Sequence, residues 1–392
     1  MPRPPELSAR AVALKPSLTL AIGAQAKALQ RAGRDICSLS AGEPDFDTPD
    51  FIVEATRQAL RDGITRYGPA AGDPELREAV AEKLSSGNGI ATSPEQVLIT
   101  NGGKQAIYNL FQVLLNPGDE VLLPAPYWLS YPEMAALAGA KVKLIPTQAG
   151  EGFRLDLTAV EAAISPRSRL LVLNSPGNPT GRVMKRQELE DVAELVRRHP
   201  QLLVMSDEIY EFLLAEGEQH HSFAAIAPDL ADRCFTVNGF AKGWAMTGWR
   251  LGYLAGHQDV IKAAAALQSQ STSNVCSFAQ RGALAAIQGP RDCVSAMAES
   301  YNRRRQLLTE GLQAIEGITL VEPRGAFYAF PQLPESAGGS MDFCSRALEQ
   351  AGLAVVPGLA FGNDRCIRLS CAVSRETIRD GLSRLTQLLG ET

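Results

Sequence analysis

Histidine is scarce in this chain: four in 392 residues, at positions 199, 220, 221 and 257. None stands at zinc-site spacing from a cysteine, and the adjacent His220-His221 pair reads as part of a polar turn, so no metal centre is expected. The seven cysteines (37, 234, 276, 293, 344, 366 and 371) are scattered, odd in number and without a Cys-x-x-Cys pair. Such usage argues against a disulfide framework and for free thiols in a reducing compartment. No apolar run approaches membrane-spanning length, and Met1-Pro2-Arg3-Pro4-Pro5 lacks the apolar core of a signal peptide, so a cytoplasmic location and no membrane partner are expected. A basic excess is also missing. Lys and Arg number 38 against 43 Asp and Glu, for a formal charge of −5, which argues against a nucleic-acid partner. Arg303-Arg304-Arg305 reads as a solvated helix face. Internal repeats and low-complexity linkers are absent.

What is present suits a soluble globular protein of roughly two domains, with 45% hydrophobic residues and a mean hydropathy of −0.06. A helix is expected from Leu18 to about Arg31, followed by the turn Gly42-Glu43-Pro44-Asp45-Phe46. Short apolar strands are expected at Val97–Thr100, Val121–Leu123, Val142–Ile145, Leu170–Asn174, Leu202–Ser206, Phe235–Asn238 and Leu251–Ala255. Amphipathic stretches such as Gln105–Leu115 and Gln187–Arg197 lie between them. Continuous apolar strands separated by helices indicate a mainly parallel sheet covered on both faces. A long helical region, about Val260–Glu316, comes next. Beyond it the strand-like pieces Thr319–Val321, Phe327–Phe330, Ala354–Val356 and Cys366–Ser370 alternate with helices near Asp342–Gln350 and Arg375–Leu389, which reads as a second, smaller α/β domain.

In open parallel sheets, ligands bind outside the carboxyl ends of the strands, and the conspicuous polar and glycine residues fall at those ends. Val97–Thr100 runs into Asn101-Gly102-Gly103-Lys104, a turn that offers free amides at a helix N-terminus and so suits a phosphate. Leu170–Asn174 runs into Ser175-Pro176-Gly177-Asn178-Pro179-Thr180-Gly181. Leu202–Ser206 runs into Asp207-Glu208-Ile209-Tyr210, and Phe235–Asn238 into Gly239-Phe240-Ala241-Lys242-Gly243-Trp244-Ala245-Met246-Thr247-Gly248-Trp249-Arg250. A lysine in a glycine-rich loop can form an imine with an aldehyde cofactor, and an arginine eight positions on can hold that cofactor's phosphate. Together they suggest pyridoxal phosphate chemistry. Taken singly, each feature has an ordinary reading. Gly102-Gly103 is a common turn, Asn178-Pro179-Thr180-Gly181 is turn chemistry, Asp207 is a candidate helix cap, and Arg368 a candidate edge-strand residue.

Their joint order along the chain carries more. From Lys15-Pro16-Ser17 through Tyr67-Gly68-Pro69-Ala70-Ala71-Gly72 to Arg368, the sequence resembles the class I/II pyridoxal-phosphate aminotransferases of the aspartate aminotransferase fold (fold type I). Gly102-Gly103-Lys104-Gln105-Ala106 and Pro126-Tyr127-Trp128-Leu129-Ser130-Tyr131-Pro132 point to its bacterial aspartate/prephenate branch. The resemblance implies a large cofactor-binding domain over residues 49–300 and a small domain over 301–392, with residues 1–48 as an N-terminal arm and part of the small domain. It implies that Lys242 carries pyridoxal 5'-phosphate as an imine and serves as general acid and base. Asp207 would pair with the pyridinium nitrogen, an attraction worth about 4 kcal/mol at ~4 Å and an effective dielectric of ~20, before desolvation. Asn178 and Tyr210 would hydrogen-bond the phenolic oxygen, Trp128 would stack on the ring, and Gly102, Gly103, Lys104 and Arg250 would surround the phosphate. Tyr67 would reach the phosphate of the neighbouring subunit, making a homodimer part of the site. Arg368 would grip the substrate α-carboxylate, with Gly42 approaching through its backbone. Lys104, Thr19 and Trp128 would recognise a distal carboxylate. The implied activity is ping-pong transamination between aspartate or glutamate and a 2-oxo acid, with prephenate a candidate acceptor. A lyase or a non-catalytic regulator on the same fold are the alternatives. Many relatives carry serines three and one positions before the lysine, where this chain has Gly239 and Ala241.

Overall fold

The structure, a computed structural model, describes residues 5–14 and 18–390, the side chain of Leu20 excepted. Lys15-Pro16-Ser17, where the resemblance begins, and Met1-Pro2-Arg3-Pro4 lie outside the described residues.

The strands in chain order are β1 (Cys37–Ser38), β2 (Val97–Thr100), β3 (Glu120–Ala125), β4 (Lys141–Pro146), β5 (Ser168–Asn174), β6 (Leu203–Asp207), β7 (Cys234–Gly239) and β8 (Gly252–Ala255), then β9 (Tyr328–Ala329), β10 (Leu353–Ala354), β11 (Val356–Pro357) and β12 (Ile367–Ser370). Seven of them form one sheet in the order β2-β8-β7-β6-β5-β3-β4. All seven strands expected for it are there. β8 alone runs antiparallel, between β2 and β7. The continuous apolar runs follow from burial on both faces. Val97 and Ile99 of β2 enter one core while Leu98 enters the other, and Val204 and Met205 of β6 divide in the same way. β4 pairs only with β3. As an edge strand it is half exposed and carries Lys141, Lys143 and Pro146, which discourage pairing with another chain.

The helices that cover the sheet read out their local chemistry. Arg186–Arg198 buries Leu189, Val192, Ala193 and Val196 on one face. Glu188 closes its first turn by accepting from the Lys185 amide at 2.8 Å, and Pro200 follows its end. The helix expected from Gln105 begins earlier, at Gly103, because Gly102 turns the chain with φ 82°. The long helical region is three helices, Gln258–Ser271, Ser277–Gln288 and Asp292–Gln313. They break at Ser273, which is left-handed at φ 65°, and at Gly289-Pro290. Among the described residues no helix is long and apolar enough to cross a membrane.

The remaining strands make a three-stranded antiparallel sheet, β11-β12-β9, and a parallel pair, β1-β10. Thr319–Val321 departs from expectation. It forms no strand, and Thr319 makes only an isolated bridge to Gln332. Pro323 on one side and Pro331 and Pro334 on the other remove the amides that a longer ladder needs. Ala354–Val356 splits in two: Ala354 pairs with Ser38, and Val356 with Arg368. The chain between β1 and residue 48 then crosses to the large sheet. Thr48 Oγ1 donates to Ala245 O at 2.8 Å and accepts from Trp249 Nε1 at 2.9 Å.

One polar cluster is buried inside the large unit. Lys83 pairs with Glu211, which also accepts from Asn88 Nδ2 at 2.8 Å and Asn238 Nδ2 at 2.9 Å. His220 belongs to this region and not to a surface turn. Its side chain is only 10% exposed and its Nε2 lies 3.0 Å from Glu208 Oε2. The turn reading failed because the buried acceptor is distant in sequence. Breaking a buried ion pair leaves an uncompensated charge. Lys83→Met should therefore lower stability by about 3 kcal/mol in urea unfolding. Adding Glu211→Gln to Lys83→Met should recover part of that loss.

Candidate active site

The carboxyl ends of β2, β5, β6 and β7 open on one crevice of about 420 Å³. Its lining brings together Thr19, Gly42, Gly102, Gly103, Lys104, Trp128, Asn178, Asp207, Tyr210, Lys242, Arg250 and Arg368, every expected site residue except Tyr67. Tyr67 lies beside a separate surface hollow with Arg66 and Asn274, and is 91% exposed.

Asp207 ends β6 at the floor of the crevice. Tyr131 donates to its Oδ2 at 2.6 Å and the Ile209 amide reaches its Oδ1 at 3.3 Å. Burial pushes the carboxyl up to about 6, against these hydrogen bonds and the pull of Lys242. A buried acid of this kind gains from a cationic partner.

Lys242 hangs from the loop after β7. Loss of water around the ammonium lowers its pKa to about 8, with Arg368 and Arg250 adding to the fall while Glu43 and Asp207 oppose it. Its Nζ donates to Gly42 O at 2.5 Å and lies 5.7 Å from the Tyr210 ring and 5.5 Å from that of Phe327. The loop is held at both ends. Phe240 and Trp244 are buried, and Thr247 Oγ1 donates to Glu43 Oε2 at 2.9 Å. Gly239 has a packing reason. A Cβ there would stand 2.8 Å from Gly252 Cα, so a serine three positions before Lys242 has no room in this backbone.

At the other end of the crevice, Gly102 precedes the helix Gly103–Leu114, whose first amides have no intrahelical acceptor. Arg250, left-handed at φ 56°, is held by its Nη1 bond to Thr247 O at 2.7 Å. A Cβ on Gly102 would lie 2.6 Å from Arg250 Nη2, so the glycine leaves the space the guanidinium uses. Lys104 follows in the first turn, with Nζ 5.1 Å above the Trp128 ring. Burial and then the neighbouring Arg250 lower its pKa. Amides, guanidinium and ammonium together make an anion cradle.

Arg368 comes up from β12 and is 3% exposed. It donates to Asn178 Oδ1 and Ser40 O, each at 3.1 Å, while its Nε has no partner. The guanidinium lies 4.4 Å from the Tyr328 ring and 5.0 Å from that of Phe361. A buried, permanently charged fork with an unspent donor is suited to a carboxylate. Asn178 is itself fixed, its amide donating to Asn174 Oδ1 at 2.8 Å.

Two residues escaped the sequence reading. Tyr131 orients Asp207, and Tyr328 shares a 2.9 Å hydroxyl contact with Tyr210 beneath Arg368. Both rings are almost fully buried and read as ordinary core. The only available signal was that a buried phenol needs a polar partner.

The amine offers a direct test. In the cofactor-free protein, competitive acylation of Lys242 should titrate with a midpoint of about 8, against 10.5 for an ordinary lysine. Glu43→Gln should move that midpoint lower still, since an anion nearby favours the ammonium.

Comparison with known proteins agrees with this geometry. Residues 34–385 match the family described as aminotransferase class I and II. An aspartate/prephenate aminotransferase of Thermus thermophilus is 49% identical over 387 residues, covering 98% of this chain and 99% of that protein. A bifunctional aspartate aminotransferase and glutamate/aspartate-prephenate aminotransferase of Petunia hybrida is 47% identical, covering 98% of this chain and 82% of that one. The solved structure of the Thermus thermophilus aspartate aminotransferase with maleate superposes with a TM-score of 0.94 at 47% identity, covering 98% of this chain and 100% of that one. The chain therefore belongs to the class I and II aminotransferases, enzymes that depend on pyridoxal phosphate.

Proposed function

We propose that this aminotransferase moves the amino group of a dicarboxylic amino acid, aspartate or glutamate, to a 2-oxo acid, with prephenate as a further acceptor. One observation carries the substrate class: the crevice holds a cation in addition to the cluster expected at the phosphate and the α-carboxylate. Lys104 sits over Trp128 at its mouth, apart from the buried fork of Arg368. The naming of relatives as aspartate/prephenate aminotransferases supports the reading, as does a relative's structure with maleate, a four-carbon dicarboxylate.

The residues fit pyridoxal phosphate. The amides at Gly102 and Gly103 and the guanidinium of Arg250 would take its phosphate, which leaves Lys104 for the substrate. Asp207, raised to about 6 by burial, would return to full charge against the ring nitrogen. Asn178 and Tyr210 would hold the ring's phenolic oxygen, and Trp128 would cover its face. When bound, the cofactor supplies an electron sink for the pair left when the substrate loses its Cα proton.

The chain's own contribution is positioning and proton traffic. Arg368 holds the α-carboxylate through two parallel hydrogen bonds, which fixes the Cα–H direction, and Gly42 brings its backbone alongside. Lys242 Nζ, with a pKa of about 8, is neutral in an appreciable fraction near neutral pH. It can therefore take the Cα proton and return it on the cofactor side. Tyr210 and Tyr328 share a hydroxyl contact under the fork and keep it from swinging. Thr19 and Lys104 meet the distal carboxylate. The protein acts as a cytoplasmic homodimer in which the exposed Tyr67 completes the partner's phosphate site. Within each subunit, residues 49–300 form the cofactor domain. Residues 301–392 and the arm of 1–48 form the smaller one.

The first experiment mixes the loaded protein with single amino acids and follows the cofactor's visible absorbance and the 2-oxo acid released. Aspartate and glutamate should convert it in one turnover and alanine only weakly, whereas ammonia release would turn the reading to a lyase. Lys242→Ala should abolish conversion. Lys104→Ala should reduce kcat/KM for aspartate roughly 100-fold, the scale of a lost charged hydrogen bond, and leave alanine nearly unaffected. An equal loss for both would restrict Lys104 to the phosphate.

A further inference from the structure

Behind Asp207, on the side away from the crevice, the chain buries a second set of charges. Glu208, the next residue, is 1% exposed. Its carboxylate accepts from Ser206 Oγ at 2.8 Å and Ser222 Oγ at 2.6 Å, with His220 Nε2 at 3.0 Å. Glu211 lies in the same cluster, paired with Lys83, whose Nζ also reaches Tyr253 Oη at 3.3 Å. Lys83 pairs with Glu211, and His220 is the ionisable base within hydrogen-bond reach of Glu208.

We propose that His220 is a positioning residue for Asp207: as an imidazolium it neutralises Glu208, and so keeps the adjacent Asp207 ionised toward the cofactor on the acid side of neutrality. Two neighbouring carboxylates raise each other's proton affinity, and a cation on one relieves the other. Two features of the site agree. Glu208 and then Glu211 hold the His220 pKa above its ordinary value, while burial and Lys83 oppose them. Glu208 is among the groups that raise Asp207. His220 also lines a cavity of about 300 Å³ together with Asn88, Arg186 and His221. His221 is less buried and its pKa is lowered, by burial first and then by Arg186, so the charge belongs to His220 of the pair.

The inference rests on the proposed role of Asp207, and the test separates the two. Pyridoxal phosphate affinity is measured from pH 5 to 8 by absorbance titration of the cofactor-free protein, for the native chain and for His220→Gln, Glu208→Gln and Asp207→Asn. His220→Gln keeps a hydrogen-bond donor and removes the charge. Its acid limb should move to higher pH, with binding about 3-fold weaker near pH 6 and convergence with the native chain at pH 8, for a shift of about half a pKa unit. Glu208→Gln should move the limb the opposite way, and the double variant should restore it. A merely structural role would weaken binding equally at every pH. If the native chain, His220→Gln and Glu208→Gln superimpose while Asp207→Asn binds weakly, the proposal is overturned and the reading of Asp207 stands. If Asp207→Asn binds like the native chain, it is that reading which fails. Should His220→Gln alone fail to fold, the double variant against Glu208→Gln decides: a charged His220 makes the double variant's acid limb lie at higher pH, and coincident limbs overturn the proposal.

Discussion

The crevice depends on a seam from which side chains have been removed. Gly239 at the end of β7 and Gly252 at the start of β8 lie so close that a Cβ on the first would stand 2.8 Å from the Cα of the second. On its other side, a Cβ on Gly252 would stand 2.5 Å from the amide nitrogen of Gly103. Three backbone segments thus meet without a methyl group between them. This contact sets the loop of Lys242 beside the first turn of the helix that follows β2, although those strands are separated in the sheet by β8. The antiparallel strand is the device that makes the meeting possible. It returns the chain from Lys242 past the helix N-terminus and leaves Arg250 at the turn, where Gly102 makes room for it.

Around that seam, burial works against every charge the chemistry needs. Asp207 is pushed up, Lys242 down, and Arg368 down, each chiefly by loss of water. A site in this condition gains most from ligands that bring complementary charge, because the desolvation has already been met by folding. The polarity is arranged by position. The acid lies at the end of the central strand β6, the amine one strand over on the loop after β7, and the fork on β12 of the smaller sheet. Tyr131, Tyr210 and Tyr328 fill the space between with rings that carry one polar atom each. They fix the charged groups without adding charge of their own.

Much of this was legible in the sequence. The strands of the large sheet announce themselves as uninterrupted apolar runs because both of their faces are covered, and the loops at their ends are marked by glycine, proline and asparagine. Twelve of the thirteen expected site residues line one crevice; the thirteenth, Tyr67, was expected to serve the neighbouring subunit. What was not legible follows from geometry that no local pattern encodes. The direction of β8 depends on how the chain turns after Arg250. The partners of Tyr131 and His220 are distant in sequence, so a buried phenol read as core and a buried imidazole as turn. Thr319–Val321 has strand composition but lacks a partner stretch free of proline.

The pairing of β1 with β10 sets the order in which the molecule can be completed. Cys37 and Ser38 are synthesised well before the large sheet, yet their partners Leu353 and Ala354 are made well after it. The large sheet, spanning Val97 to Ala255, finds all its strands within one continuous stretch and can close long before. Gly42, only a few residues beyond β1, is therefore fixed against Lys242 only once β10 has been made. A nascent chain stalled before β10 would carry a finished anion cradle and a poised amine, but no Arg368 grip and no Gly42 wall over them.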